Sequence, residues 1–445
     1  MNTENLTYGN IKYQLIGLTL PLILSNILQE LYNTIDTYMV GSFINDNAFA
    51  SIGISGSIMN LFIFIIIGAN NGISLILARY YGEKNYKKFR KSIFTSIIIG
   101  GGITVILSIT SILILNFILN IINTPMELKS YVMEYLNIIL IGLISCFLYN
   151  LCSSVLRSVG NSKTSLYILL LSTIANIIMD YIFIKIFGLG IQGAAIATVL
   201  SQIFSAVIAV IYINKKYPYL ICKRADFKLD IKNIKSILDY MTMSSLHQSS
   251  LYIGKLLIQG AVNALGTNSI IAFTASSRIE AFPNSFAESG GTAISIFISQ
   301  NKGAEKNGRI KKGFKTGLKL MLLMGMIIIS IAFILSKPLS GMFIENNINA
   351  VNEAASYLKV ISIFYIFCFI GSSFVGYYKG VGMMNIPVVG TILHISIRTI
   401  LSYILIYKLS LSAVAVSTGL GWIAVNIMQM IIFFKRNSDI KKDAY

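Results

Sequence analysis

The sequence predicts an all-α integral membrane protein whose twelve spanning helices form two related six-helix bundles. The first observation is composition: 55% of the 445 residues are hydrophobic and only 12% are charged, against about 25% charged in an average soluble domain. The second is a series of long apolar runs, and the third is a similarity between the two halves of the chain. Together they leave room for about a dozen spans of ~20 residues and for no sizeable soluble domain.

The apolar runs are bounded by polar residues, glycine or proline, which mark the ends of spanning helices in a sequence. We interpret the first run, from Ile11, as a span and not as a signal peptide, because it contains Pro21 and Asp36 and lacks a cleavage pattern. The predicted spans are 14–40, 48–78, 92–120, 131–156, 165–187, 191–213, 236–262, 269–300, 314–336, 354–378, 386–407 and 410–434.

Lys and Arg residues collect in alternate loops, and this pattern predicts the orientation of the helices. Most of the 36 basic residues lie in the termini and in the loops that follow even-numbered spans, whereas those on the opposite side are Lys129, Lys185, Lys337 and Lys408. Both termini are therefore predicted to be cytoplasmic, with the protein in the plasma (inner) membrane. The net charge of +18 has the same origin, so it indicates no nucleic-acid partner.

The second half of the chain matches the first when it is shifted by about 222 residues. The clearest pairs are 157–160 with 379–382 and 82–85 with 304–307. Six spans return the chain to its starting side, so the two copies have the same orientation, an arrangement that often flanks a central substrate site in transporters. The predicted domains are an N-terminal lobe (1–213), a cytoplasmic linker (214–235) and a C-terminal lobe (236–445).

The sequence carries no pattern typical of an enzyme or of an ATP-driven pump. It lacks both a G-x-x-x-x-G-K-[ST] loop and an H-E-x-x-H motif, and its four cysteines show neither disulfide nor metal-binding spacing. His247 and His394 lie far apart and are interpreted as packed or interfacial residues. We therefore expect no cofactor and no enzymatic activity, and transport that runs on an ion gradient or downhill.

The first predicted span carries the strongest functional signal. Asn26, Gln29, Asn33 and Asp36 recur every three or four residues and so form a polar stripe on an apolar helix. A carboxylate at the bilayer centre costs about 2.5–3.5 kcal/mol, so Asp36 is expected to be paired, protonated or facing water. The stripe therefore predicts a polar interior. Tyrosines that could line a cavity for a flat cation are Tyr32, Tyr135 and Tyr149.

A second signal lies on the fifth predicted span, where Asn176 and Asp180 are four residues apart and share a face. With Asp36 they give the N-terminal lobe two acids beside amide and hydroxyl oxygens. Such a group can bind Na⁺ through oxygen ligands or hold a shared proton. The 222-residue shift places Arg398 and Ser402 at the equivalent positions of the second half, so we expect ion coupling to be asymmetric.

In the second half, the eighth predicted span carries Glu280 and Glu288 and is expected to be broken by Pro283. Glu280 is a candidate substrate contact. Equally, either acid could simply neutralise a base inside the bundle, since buried charges need partners. The candidate bases are Lys255, Arg278 and Arg398.

Four motifs, at 21–41, 78–83, 156–163 and 176–198, form a pattern that extends over essentially the full length of the chain. Through these motifs the chain resembles the multidrug and toxic compound extrusion (MATE) transporters. The resemblance implies a V-shaped pair of six-helix lobes. It also implies antiport of drug-like, often cationic compounds against H⁺ or Na⁺.

The resemblance further implies an ion-coupling site formed by Asp36, Asn176, Asp180 and Thr198, which is also where Na⁺ would bind. By the same likeness Gln29 and Asn150 line the N-terminal cavity, and we add Asn33 and Glu280 as candidate substrate contacts. One branch of the family also uses acids on the seventh and tenth helices. Here those helices offer Lys255 and, near a helix end, Glu353, so ion coupling of that type is not expected.

The expected partners are small drug-like molecules and the lipid bilayer, with the protein acting as a monomer. Two other functions remain open from the sequence. A flippase for a lipid-linked oligosaccharide, or for another anionic lipid-linked substrate, fits the three deep bases, whereas Asp36 and Asp180 argue against it. A passive channel or a scaffold has no evident need for two buried acids and an asymmetric repeat.

Overall fold

The computed structural model describes residues 5–227, 229, 231–344 and 347–442, and within these ranges the chain is helical and contains no β-strand. Positions 228 and 230 of the predicted linker lie outside the described residues. The α-helices are α1 (Ile11–Phe43), α2 (Asp46–Gly82), α3 (Tyr86–Ile121), α4 (Met126–Ile141), α5 (Leu143–Ser158), α6 (Ser162–Asp180), α7 (Gly190–Lys216), α8 (Ile231–Asn263), α9 (Thr267–Gly303), α10 (Asn307–Ile334), α11 (Ser336–Gly341), α12 (Ile348–Gly380), α13 (Asn385–Leu409) and α14 (Ser412–Lys442).

Twelve spanning segments can be identified in the described part of the chain. Nine helices are long and apolar enough to cross a membrane, and α4 with α5 adds a tenth span that is bent by 46°. Helices α8 and α9 are as long, with 33 and 37 residues, but they carry more polar side chains. Counting these two gives the twelve spans predicted from the sequence, and the short α11 follows the ninth of them.

Two local details of the predicted spans differ in the structure. The fourth predicted span, 131–156, is present, but it is bent by 46° between two helices, α4 and α5, which meet at Gly142. A side chain at Gly142 would place its Cβ 2.2 Å from a methyl group of Val199, so the bend accompanies a close approach to α7. Pro283 does not break the eighth span, because α9 continues through it. Within a helix bundle, neighbouring groups can satisfy the backbone carbonyl that a proline leaves free.

The duplication is visible in how the helices end. Gly160 and Gly382, which the 222-residue shift pairs, both have a positive φ, of 90° and 82°. Only glycine adopts this conformation readily. Each of the two glycines directly follows the C-cap residue of a helix, α5 or α12. The pairing of 82–85 with 304–307 must be shifted by one residue. Lys84 and Glu305 are the residues with a positive φ at these two turns, with values of 56° and 58°. The two copies are thus offset by 221 residues at that turn.

The chain divides into two compact units. Unit 1 contains Leu20–Gln248, and unit 2 contains Ser249–Lys302, the chain from Lys306 onward and the first turns of α1, Gly9–Thr19. In unit 1, α2 packs against α3, α4 and α5, while α7 packs against α4, α5 and α6. In unit 2, α12 packs against α10 and α14, and α13 packs against α14. The lobe boundaries at 213 and 235 stay a prediction.

The segment between α7 and α8 is fastened to α3 by an ion pair. Arg90 Nε lies 2.6 Å from Asp226 Oδ2, and the same guanidinium donates to the carbonyl oxygen of Tyr219 at 3.0 Å. The backbone N–H of Lys223 also donates to Asp226 Oδ2 at 3.0 Å. Burial alone would raise the pKa of Asp226, but these donors outweigh it and lower the pKa below its ordinary value.

Candidate ion and substrate site

A cavity lined by both polar and apolar side chains lies inside unit 1, between α1, α2, α4, α5 and α7. It encloses about 60 Å³ of space that water can occupy, which is enough for more than one water molecule. The lining residues are Gln29, Tyr32, Asn33, Asp36, Met59, Ile63, Tyr135, Ile139, Gly142, Leu143, Cys146, Thr198, Val199 and Gln202. Three members of the polar stripe on α1 therefore face one cavity, as the helical periodicity predicts.

The predicted ion-coupling residues come from three helices of unit 1. Asp36 and Thr198 line the cavity from α1 and α7. Asn176 and Asp180, one turn apart on α6, are 1% and 0% exposed. The carboxyl groups of Asp36 and Asp180 are close enough to act on each other electrostatically. The fold therefore brings together two acids that are 144 residues apart in the sequence.

Several polar atoms of this group make no hydrogen bond of ordinary geometry within the described protein, although the carboxyl groups of Asp36 and Asp180 lie close to each other, as do the hydroxyl groups of Tyr32 and Thr198. The buried atoms without such a bond are Tyr32 Oη, Asp36 Oδ1, Asn176 Nδ2 and Oδ1, Asp180 Oδ1 and Oδ2, and Thr198 Oγ1. Nearly all buried polar atoms in proteins are hydrogen-bonded, because an unpaired one costs about 1–3 kcal/mol. A cluster of such atoms around two carboxyl groups is what a site for a proton, a cation or water molecules requires.

The backbone around Asp180 is also unusual. Asp180 ends α6, and the chain continues as a π-helical turn over Tyr181–Ile186. Turns of this type are rare and occur frequently at functional sites. Gly193 of α7 packs against this turn, since an added Cβ would lie 3.1 Å from the carbonyl carbon of Phe183. The close contact holds α7, and therefore Thr198, against the end of α6.

Two tyrosines complete the surroundings of the acids. Tyr32 and Tyr135 both line the cavity, and each interacts with Asp36, Asp180 and Thr198. Tyr149, the third tyrosine suggested by the sequence, is not among the described lining residues. The cavity therefore has aromatic walls beside the carboxyl group of Asp36, and such walls suit an organic cation.

The remaining predicted substrate contacts differ in position. Gln29 and Asn33 are exposed in the cavity wall. Asn150 does not line the described cavity, and its Nδ2 donates to the carbonyl oxygen of Cys146 at 2.8 Å. Glu280 belongs to unit 2, where its Oε2 accepts a hydrogen bond from Tyr357 Oη at 3.2 Å. The structure thus places two of the four in the wall of the unit 1 cavity.

Sequence reasoning missed one polar lining residue and several apolar ones. Gln202 lies one turn after Thr198 on α7 and accepts from Ser145 Oγ at 3.2 Å. The i, i+4 spacing of these two residues was the available signal. Apolar lining residues such as Met59 and Ile63 gave no signal, because nothing in an apolar helix distinguishes a side chain in a cavity wall from one in the core.

Twelve spans in two related units, with a partly polar cavity inside one of them, define the class of membrane transporters built from a repeated helical bundle. The MatE family model matches the chain twice, at residues 21–182 and 244–404. The chain therefore belongs to the MatE family of transporters, and its function is transport and not enzymatic catalysis. The two matched ranges start 223 residues apart and end 222 apart, which confirms the duplication.

Similar proteins extend over most of the chain. The probable multidrug resistance protein YpnP of Bacillus subtilis (strain 168) is 26% identical over 388 residues, which is 86% of each chain. The probable multidrug resistance protein YoeA of the same strain is 27% identical over 331 residues, 73% of this chain and 72% of YoeA. A solved structure titled as the outward-facing conformation of a multidrug resistance MATE family transporter superposes with a TM-score of 0.91, 20% identity and 99% coverage of both chains.

Proposed function

We propose that the protein is a secondary active multidrug exporter that exchanges drug-like, mainly cationic compounds for H⁺ or Na⁺. The coupling ion binds at Asp36, Asn176, Asp180 and Thr198. The observation that carries this proposal is the cluster of buried polar atoms without an ordinary hydrogen bond around two neighbouring carboxyl groups, one of which, that of Asp36, lines the cavity. The printed names of the relatives, which are multidrug resistance proteins, support the substrate class.

The proposed mechanism is competition between ion and substrate within unit 1. An organic cation contacts Gln29, Asn33 and the rings of Tyr32 and Tyr135 while the carboxyl groups provide the opposite charge. When H⁺ or Na⁺ binds at the acids, it neutralises that charge, and the cation loses its main electrostatic attraction. The ion then leaves on the other side of the membrane and the site regains its negative charge.

An ion gradient supplies enough free energy for such an exchange. One charge that moves through 100 mV provides about 2.3 kcal/mol, which corresponds to a concentration ratio of roughly 45-fold for a neutral substrate. Exchange of one monovalent cation for another is electrically silent and uses only the chemical gradient of the ion. We further propose that the exporter acts as a monomer in the plasma membrane with both termini in the cytoplasm.

Efflux of ethidium from proteoliposomes tests the proposal. Separate pH and Na⁺ gradients are imposed on vesicles that contain the wild type or Asp36→Asn. We expect one of the two gradients to drive export by the wild type and neither to drive it in the variant. Absence of export by the wild type under both gradients would contradict the proposal and favour a lipid-linked substrate.

A further inference from the structure

Unit 2 contains a second cluster of charged side chains, which the proposed ion site does not use. Glu280 of α9 is 8% exposed and Tyr357 of α12 is fully buried, and their side chains are joined by the 3.2 Å hydrogen bond. Arg398 of α13 and Lys255 of α8 both act electrostatically on Glu280. Four helices of one unit therefore converge on this cluster.

The charges of the cluster do not balance. It contains two bases and a single acid, and the other acids whose side chains are described in unit 2 are engaged elsewhere. Glu288 interacts with Lys379, and Glu353 accepts from the hydroxyl groups of Ser269 and Ser410. One positive charge is therefore left without an acidic counterpart in the described residues, which is costly in a membrane-spanning region.

The accessible members of the cluster are its bases. Lys255 is exposed and Arg398 is partly exposed, whereas Glu280 and Tyr357 are buried. Arg398 makes no ion pair within 4 Å in the described structure, and its buried Nε has no hydrogen-bond partner. Arg398 also contacts the hydroxyl group of Tyr357. A guanidinium with an unpartnered N–H is suited to a planar anion such as a carboxylate, which it can bind through two parallel hydrogen bonds.

Because of the duplication, residues of this cluster occupy positions equivalent to those of residues in the unit 1 site. The 222-residue shift pairs Lys255 with Asn33 and Tyr357 with Tyr135, and both residues of unit 1 line the cavity. The same shift pairs Arg398 with Asn176. The positions of Lys255 and Arg398 in unit 2 are therefore occupied in unit 1 by two uncharged residues, Asn33 and Asn176.

We propose that Lys255 and Arg398 form a binding site for the carboxylate of zwitterionic or anionic substrates, with Tyr357 and Glu280 positioning Arg398. This inference rests on the proposed export function and extends its substrates beyond simple cations. The single excess positive charge matches a monoanionic carboxylate better than a phosphate monoester, which carries close to two charges. Glu280 accordingly acts as an internal partner and not as a contact for a cationic drug.

Two dyes that differ only at the carboxyl group test the site. Rhodamine 110 carries a free carboxylate, and rhodamine 123 is its methyl ester. Their binding to the purified protein in detergent is measured by fluorescence anisotropy for the wild type, Lys255→Gln and Arg398→Gln. We expect both variants to weaken rhodamine 110 binding at least about tenfold, since they remove hydrogen bonds between charged groups, and to leave rhodamine 123 within about twofold.

Matched variants exclude general damage to the fold. Lys337→Gln removes an exposed lysine of α11 in the same unit and should change neither dye. Arg398→Lys keeps the charge and should recover part of the rhodamine 110 affinity. Equal losses for both dyes, or a wild type that does not bind rhodamine 110, would overturn the carboxylate site.

A competition experiment with dioleoyl phosphatidic acid shows whether the site binds the carboxylate of a substrate or the phosphate of a lipid. Displacement of rhodamine 110 by the lipid below equimolar amounts would assign the site to an anionic lipid and overturn the inference. Failure of the export function has a different signature, because rhodamine 123 would then not be exported from vesicles under either ion gradient. Gradient-driven export of rhodamine 123 together with unselective binding in the variants rejects only the carboxylate site.

Discussion

The carboxyl groups of Asp36 and Asp180 are buried, close to each other and incompletely hydrogen-bonded. Replacing either acid by asparagine keeps its shape and removes its ability to exchange a proton or to neutralise Na⁺. We expect Asp180→Asn to reduce gradient-driven ethidium export at least about tenfold. The measurement is the initial efflux rate from proteoliposomes at equal protein density.

The same substitution should leave the fold intact. A neutral amide is less costly than an unpartnered carboxylate in a buried site, so the thermal unfolding midpoint of Asp180→Asn is expected to equal or exceed that of the wild type. Asp46→Asn is the matched control, since Asp46 is an exposed acid at the start of α2. Export by Asp180→Asn at the rate of this control would refute the assignment of Asp180.

The ion pair between Arg90 and Asp226 predicts an effect on stability that depends on pH. Asp226→Asn should destabilise the protein by roughly 1.5–3 kcal/mol at neutral pH, because it removes a hydrogen bond between charged groups. Since the folded protein lowers the pKa of Asp226, this contribution is present above about pH 4, the value of an unfolded aspartate. It is lost as the pH falls through the lowered pKa of the folded state.

Thermal unfolding in detergent between pH 3 and 7 measures this effect. The difference between the wild type and Asp226→Asn should shrink on acidification. Asp239→Asn, which changes an exposed acid of α8, should show no such difference at any pH. A constant gap between Asp226→Asn and the wild type over the whole range would contradict the role of the ion pair.

Much of the site can be predicted residue by residue. The spacing of Gln29, Asn33 and Asp36 was sufficient to place them on one wall, because helical periodicity is a local property. That Asp180 approaches Asp36 depends on how α1 and α6 pack, which periodicity does not specify. Thr198 entered only through the resemblance to a family, since a single threonine in an apolar helix carries no signal of its own.

Among the helices, the junction of α4 and α5 is directly tied to the cavity. Gly142 lines the cavity and leaves no space for a side chain beside Val199, which neighbours Thr198. We expect Gly142→Ala to displace α7, to destabilise the protein by about 1–3 kcal/mol through overpacking, and to slow export. The measurements are thermal unfolding and ethidium efflux.

The control for this element is Gly102→Ala. Gly102 lies within α3, and a Cβ added there would have no other atom within 4 Å. Alanine should therefore be neutral or stabilise the protein by about 0.4–1 kcal/mol. If Gly142→Ala behaved like Gly102→Ala in both measurements, the proposed contact between the helix junction and α7 would not matter for transport.

The positions of some helices can be predicted from the sequence more accurately than those of others. Helices with long apolar runs, such as α2 and α3, are predicted close to their observed positions because hydropathy is a local property. The division between α4 and α5 was missed because it depends on Val199, which is distant in the sequence. The π-helical turn after Asp180 was missed for a similar reason, since its residues are as apolar as those of a regular span.

For the whole molecule, the distribution of Lys and Arg predicts cytoplasmic termini and linker. A single cysteine introduced into a cysteine-free variant tests this topology with a membrane-impermeant maleimide on intact cells. We expect no labelling at positions 87 and 311, and labelling at position 127, which lies in the first turn of α4 and is predicted to face the outside of the cell. Labelling at position 87 in intact cells would contradict the orientation.

The twelve spans and the duplication were predictable because hydropathy and an internal repeat are present in the sequence itself. The different polarity of the two units was only partly predictable. The sequence placed Arg398 opposite Asn176, but the packing alone identified Tyr357 as the partner of Glu280. Charge balance in a bundle depends on which side chains meet, and that depends on the tertiary structure.

The central claim is that the coupling ion and the exported cation compete for the carboxyl groups of unit 1. Ethidium affinity of the purified protein, measured by fluorescence titration at several pH values and Na⁺ concentrations, tests it most directly. We predict that the affinity falls as either the H⁺ or the Na⁺ concentration rises, and that Asp180→Asn loses this dependence while Asp46→Asn keeps it. A wild-type affinity that is independent of both ions would contradict the account.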